Sequence, residues 1–360
     1  MAAVTQRLMD ESRSTSTTTL APSFSDTAAG VDIRVDAAHR YAREDGTSRW
    51  ADEDSAIDDL QSTSTQPLTD SIYDFPIEYG RRYHALRAGN YVLPNDQQEM
   101  ERLDFVHEII FRVLGHRLCL APIDEKKIER VLDMGTGTGI WALEFADRFP
   151  NAQVLGNDLS PIQQCWVPPN VKFVIDDIES PWSYRNPFDL IFGRYLATAI
   201  QDWPSLVRST FENVSAGGWV ELQDFDLTVY CDDWDRPEDQ PIYQWAQLLI
   251  DGARMMGREP SPGVGLRGWM EAAGFQEVTH RQFKVPIGGW SDDTDLRVIG
   301  LMFLSQTIDG LEAFSLRLLC NVHGWDEERV RTVLARVRRD FLSGMKLYMH
   351  YHVVYGRKPE

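Results

Sequence analysis

The sequence predicts an α/β fold, a mostly parallel sheet with helices on both faces. Three observations point there. Five β-rich runs alternate with helical stretches between residues 130 and 226. A glycine-rich turn, GTGTG, follows the first run. Acidic residues stand at the ends of the next two.

The elements follow in order. Residues 1–70 are rich in Ser, Thr, Asp and Ala and hold 13 acidic against 6 basic residues. With no sustained helical or strand period, they read as a disordered acidic tail open to protein partners. Residues 71–120 form a segment with one amphipathic helix. Leu103, Val106, Ile110, Val113 and Leu114 recur at spacings of three and four, and Asn95 or Asp96 offers an N-cap after Pro94.

The domain over 121–360 then supplies strands at 130–135, 152–158, 171–177, 188–194 and 218–226, and two later ones at 275–287 and 346–359. Helical insertions at about 236–258 and 292–343 are too long for ordinary connections and read as a cap over the site.

Composition limits the function classes. The chain is 43% hydrophobic, enough for a large core. A net charge of -19 opposes sequence-independent binding to nucleic acid or an anionic membrane, since both need Lys and Arg against phosphate. Cys119, Cys165, Cys231 and Cys320 lie far apart with no CxxC pair, so neither a metal site nor a disulfide framework is expected. The N-terminus lacks the apolar stretch of a secretory signal, and no long apolar run could span a membrane. These features place the chain in the cytosol or nucleus.

The turn decides the chemistry. Gly135, Gly137 and Gly139 are spaced GxGxG, and Ile140 stands where a dinucleotide fingerprint has its third glycine. Asp133, at the end of the first strand, would repel a pyrophosphate and attract a cationic amino group. Asp158, at the end of the second, is placed for both hydroxyls of a ribose. After the third strand, Asp177 suits an adenine amine, with Ile178 against the ring. Ribose and ammonium without phosphate describe S-adenosylmethionine.

VLDMGTGTGIWALEFADRFP resembles motif I of class I S-adenosylmethionine-dependent methyltransferases. YGRRYHALRAGNYVLPND, LGNDLSPIQ, DDIESPW, FDLIFGR, GGWVELQDFD, VPIGGW and VVYGRKP narrow the resemblance to the fungal LaeA-like branch. It covers residues 76–359 and implies a Rossmann-like seven-stranded sheet with an antiparallel edge. It also implies S-adenosyl-L-methionine as cofactor and methyl transfer to N or O of a small molecule in fungal secondary metabolism. The alternative is a regulator of that metabolism acting through protein partners, although WVELQDFD sets this chain apart from the branch's global regulators.

The resemblance implies Asp133, Gly135, Thr136, Gly137 and Gly139 around the methionine part, Asp158 and Leu159 at the ribose, and Asp177 and Ile178 at the adenine. It makes GRRYH a lid, with Arg81 for the methionine carboxylate and Tyr83 beside it. Arg194 anchors the floor of the site or an acidic acceptor. No catalytic base is assigned among His84, Tyr195, Asp224, His350 and His352. An acceptor pocket of Trp245, Met255 and Met256 is expected from the first insertion.

Overall fold

The computed structural model describes residues 74–86, 91–164 and 166–360. The acidic tail over 1–70 and Cys165 lie outside them.

A two-stranded hairpin, β1 (Ile77–Glu78) and β2 (Arg81–Arg82), comes first. It leads into α1 (Gln97–Val113), where Asp96 is the N-cap and accepts from the Glu99 N–H at 3.1 Å.

Strands β3 (Arg130–Met134), β4 (Gln153–Asp158), β5 (Val171–Ile175), β6 (Phe188–Arg194) and β7 (Val214–Phe225) are parallel, in spatial order β5-β4-β3-β6-β7. β10 (Leu347–Arg357) lies antiparallel beside β7, and β9 (Gln276–Ile287) pairs antiparallel on its outer edge. This is the seven-stranded sheet expected, with a two-residue strand, β8 (Tyr230–Cys231), added beside β10.

β7 starts four residues before the run read from sequence, because Val214 pairs with Phe188 of β6 and the next residues bond to Lys358, just past β10. Gly217 N–H donates to Lys358 O, and Lys358 N–H to Gly218 O.

Helices cover both faces. α2 (Ile140–Arg148) buries Trp141, Ala142, Phe145 and Ala146 on one face, and the Trp141 ring stacks on Phe192 at 3.9 Å. Full burial of such a side chain contributes about 2–3 kcal/mol. α3 (Trp203–Asn213) and α5 (Pro262–Ala273) share a core with Leu132, Met134, Leu222 and Val354 on the opposite face.

The insertions are helical, as read. The first holds α4 (Pro241–Met255), and the second holds α6 (Thr294–Arg317) and α7 (Glu327–Phe341), joined through a π-helical turn at Leu318–Val322. Ile242, Trp245, Phe303, Leu311, Leu334 and Phe341 from these helices share one core with Ile109 of α1 and Phe225, Tyr351 and Val353 of the sheet. Among the described residues, no helix is long and apolar enough to cross a membrane, and no cluster of three or more His, Cys, Asp or Glu side chains could hold a metal.

Candidate functional site

A cavity opens where the carboxyl ends of β3, β4, β5 and β6 meet α1, the position at which open α/β sheets take their ligands. Of the twelve residues singled out for the cofactor, nine line it: Asp133, Gly135, Thr136, Gly137, Asp158, Leu159, Asp177, Ile178 and Arg194.

The glycine turn is held from the neighbouring strand. The Thr136 N–H donates to Asn157 O at 2.8 Å, and the Gly135 N–H to Asn157 Oδ1 at 3.3 Å. Gly135 has φ +63°, where a side chain is strained, and a Cβ there would lie 2.6 Å from Leu196 Cδ2. Gly139, the N-cap of α2 at φ +84°, would drive a Cβ into the Phe173 ring. It supports the turn from behind and does not line the cavity.

The acids have distinct partners. Asp133 is buried and accepts from Thr136 Oγ1 at 2.5 Å, and burial pushes its carboxyl up to about 7. Asp158 Oδ2 accepts from the Gly137 N–H at 2.9 Å and Oδ1 from the Ser160 N–H at 3.1 Å. Burial raises it to about 6, against the pull of those donors. The Leu159 N–H also donates to this carboxylate, so of its four lone pairs one remains for a ligand. Asp177 Oδ1 accepts from the Glu179 N–H at 2.9 Å in a tight turn that brings Ile178 to the cavity.

Arg194 is oriented by a relay. Its Nη2 lies 2.6 Å from His107 Nδ1, and His107 Nε2 lies 3.0 Å from Glu144 Oε2. A guanidinium only donates, so Nδ1 accepts and Nε2 carries the proton to the carboxylate. Burial, then the Arg194 charge, lower His107 to about 3 and keep it neutral.

Arg81 and Tyr83 do not line the cavity. Arg81 donates to both oxygens of Asp96, from Nε at 2.6 Å and Nη2 at 2.8 Å, and so fixes the start of α1. The Tyr83 ring lies under the Arg317 guanidinium at 4.3 Å. The same segment reaches the cavity through His84, whose Nδ1 is 2.6 Å from Ser160 Oγ, and through Tyr91, Leu93 and Asn95. Burial lowers His84 to about 4.

Residues not anticipated also line the site. Glu99 and Arg102 share the face of α1 that carries Leu103 and Val106, at helical spacing. Arg102 donates to both Glu99 oxygens, at 3.0 and 2.6 Å, and through Nη1 to Gln306 Oε1 at 2.9 Å. Arg258, also in the wall, pairs with Glu179 at 3.2 Å.

A second cavity lies between the sheet and the insertion helices. Its walls are Phe225, Trp245, Leu249, Ile287, Phe303 and Phe341 with their neighbours, and it shares Leu93, Arg102 and Tyr195 with the first. Trp245 therefore faces it as expected, whereas Met255 is 64% exposed and neither Met255 nor Met256 lines it.

Asp224 lines the second cavity, but its oxygens are occupied by backbone. Oδ2 accepts from the Leu196 and Ala197 N–H groups at 2.8 and 2.7 Å, and Oδ1 from the Phe225 N–H at 2.9 Å. His350 and His352 line neither cavity. His352 Nδ1 lies 2.8 Å from His280 Nε2, and the His350 ring is tilted against Tyr230 at 4.7 Å on the sheet.

A family profile described as a methyltransferase domain matches residues 78–280. Methyltransferase pytC of Aspergillus terreus is 38% identical over 89% of this chain and 99% of its own length. Secondary metabolism regulator LAE1 of Cochliobolus heterostrophus is 33% identical over 79% of this chain and 95% of its own. Probable methyltransferase tdiE of Emericella nidulans is 31% identical over 72% of this chain and 82% of its own.

Proposed function

The chain belongs to the methyltransferase-domain family and is an S-adenosylmethionine-dependent methyltransferase, and from that premise we propose that it methylates an N or O atom of a largely apolar small molecule. The observation that carries this reading is the second, aromatic cavity joined to the first through Leu93, Arg102 and Tyr195. Relatives named for secondary metabolism support a setting in that chemistry. Free thiols at Cys119, Cys231 and Cys320 support a reducing cytosol or nucleus.

The first cavity fits the donor by the chemistry of its walls. Glu99 offsets Arg102, and Glu179 offsets Arg258. Among the described residues, Asp133, Asp158, Asp176 and Asp177 then face a single guanidinium, Arg194. Two positive centres and one carboxylate match that balance. In our assignment Asp133 holds the amino group, Asp158 the ribose, and Asp177 with Ile178 the adenine. Arg194, steadied by His107, takes the carboxylate role expected of Arg81. When bound, the donor supplies a methyl carbon activated by a sulfonium leaving group. The chain's own part is to orient the acceptor and exclude water, and proximity of that kind is worth about 7–11 kcal/mol at best. The insertion helices act as the cap that closes the second cavity.

The test is transfer of labelled methyl from S-adenosylmethionine to a panel of neutral aromatic alcohols and amines. Label is expected in an organic-soluble product; label found only in protein would favour the regulator reading that the likeness to LAE1 supports. With an acceptor in hand, Trp245→Phe is expected to raise its KM about tenfold at unchanged kcat, as loss of uniform binding does. An unchanged KM would remove Trp245 from the acceptor site.

Donor binding should also depend on pH. An ammonium needs Asp133 ionised, and the carboxyl titrates near 7. Affinity for S-adenosylhomocysteine is therefore level above that pH and falls about tenfold per unit below it. Calorimetry at pH 8 and pH 6 reads this directly, and equal affinities would exclude Asp133 as the partner of the amino group.

A further inference from the structure

We propose that Tyr195 determines acceptor specificity, its phenol hydroxyl binding the single polar group of an otherwise apolar aromatic acceptor at the junction of the two cavities. The inference rests on the two-cavity reading above and names the contact within it.

Three residues border both cavities. Leu93 has no polar side-chain atom, and Arg102 is engaged by Glu99 and Gln306. Tyr195 is different. Its hydroxyl is buried and, among the described residues, has no hydrogen-bond partner. Leaving a buried hydroxyl unpaired is costly, so such a group in a cavity wall points to a ligand that pairs with it.

The backbone is strained to put the ring there. Tyr195 has φ +57° and Thr198 φ +64°, left-handed values at two non-glycine residues in one short turn. Asp224 clamps that turn through the Leu196 and Ala197 N–H groups, and the Tyr195 N–H donates to Gln223 O at 3.2 Å. The ring is bracketed by Phe225 at 5.8 Å and Tyr351 at 6.5 Å. A side chain held this firmly meets a ligand in a fixed orientation.

Burial pushes the phenol well above its usual range, so it remains a neutral O–H. It can donate to or accept from an alcohol or an amine, and it is not a base. Of the other polar side chains on this wall, Arg102, Asp224, Gln306 and Thr307 are engaged within the protein, and Thr198 borders the second cavity but not the first. Gln306 Nε2 donates to Thr307 Oγ1 at 2.9 Å, and Thr307 Oγ1 to Phe303 O at 2.7 Å. At the junction of the two cavities the acceptor's polar group therefore has the Tyr195 hydroxyl to meet, and its apolar body has Phe225, Trp245, Phe303 and Phe341.

Equilibrium dialysis of 1-naphthol and of naphthalene against the full chain, saturated with S-adenosylhomocysteine, tests this. Wild type is expected to bind 1-naphthol about fivefold more tightly than naphthalene, the scale of one neutral hydrogen bond. Tyr195→Phe is expected to bind the two equally, with naphthalene affinity unchanged. Its unfolding midpoint should be equal or higher, because the hydroxyl removed had no partner; that checks the fold of the variant. A preference that survives in Tyr195→Phe, or is absent from wild type, overturns the role of Tyr195 and leaves the second cavity as a binding site. If neither compound binds wild type, the two-cavity reading falls and takes this inference with it.

Discussion

Asp158→Ala lowers affinity for S-adenosylhomocysteine by about tenfold to a hundredfold, the loss expected for charge-assisted hydrogen bonds to a ribose diol. The expectation follows from the place of Asp158 at the end of β4 and beside the glycine turn, with a lone pair left beyond its backbone donors. The substitution also leaves the Gly137 and Ser160 N–H groups without their acceptor, which loosens the turn. Asp158→Asn is the conservative comparison. Its amide keeps one oxygen for one backbone N–H but turns a donor toward the other, so it should recover part of the stability and part of the affinity. Paired calorimetric titrations and urea unfolding of both variants make the check. Wild-type affinity in Asp158→Ala would remove this carboxylate from the site.

The second large effect is expected at Gly135. Gly135→Val forces a β-branched residue to φ +63° and drives its Cβ against Leu196 Cδ2. Strain and overpacking together cost about 3 kcal/mol, and donor binding should be lost, because the turn carries both Asp133's partner Thr136 and the Gly137 N–H. Gly257→Ala is the control. It has φ +70° with nothing within 4 Å of an added Cβ, so it feels the backbone strain alone, about 1 kcal/mol. Urea unfolding of the two variants measures the difference, and equal losses would contradict the contact with Leu196.

What could be read from the sequence follows from what is local. The glycine turn and the acids at strand ends were legible because a parallel strand fixes where its last residue lies: Asp133 is next to last in β3, Asp158 is last in β4, and Asp177 follows β5 by two residues. The apolar runs at 130–135 and 188–194 were legible because a strand buried on both faces has little choice of composition.

The rest depends on partners distant in sequence. Arg81 looked like a free cation beside GxGxG, but Asp96, fifteen residues on, neutralises it once α1 begins there. Arg102 was hidden because its helix face reads as apolar through Leu103 and Val106; only the approach of Gln306 on α6 gives the guanidinium a role in the wall. Tyr195 was noticed as a titratable group, whereas its significance lies in a strained turn and an unpaired hydroxyl, neither of which leaves a mark on composition. β8 arises from pairing with β10, more than a hundred residues away, and the early start of β7 from Phe188 of β6 and from Lys358.

The measurement that tests the central claim most directly is a crystal structure of the chain with S-adenosylhomocysteine. The account predicts ligand in the first cavity, its amino group on Asp133, its ribose on Asp158 and its carboxylate toward Arg194, with the aromatic cavity open beside the sulfur. Ligand bound elsewhere, or in the reverse orientation with the ribose at Asp133, would contradict it.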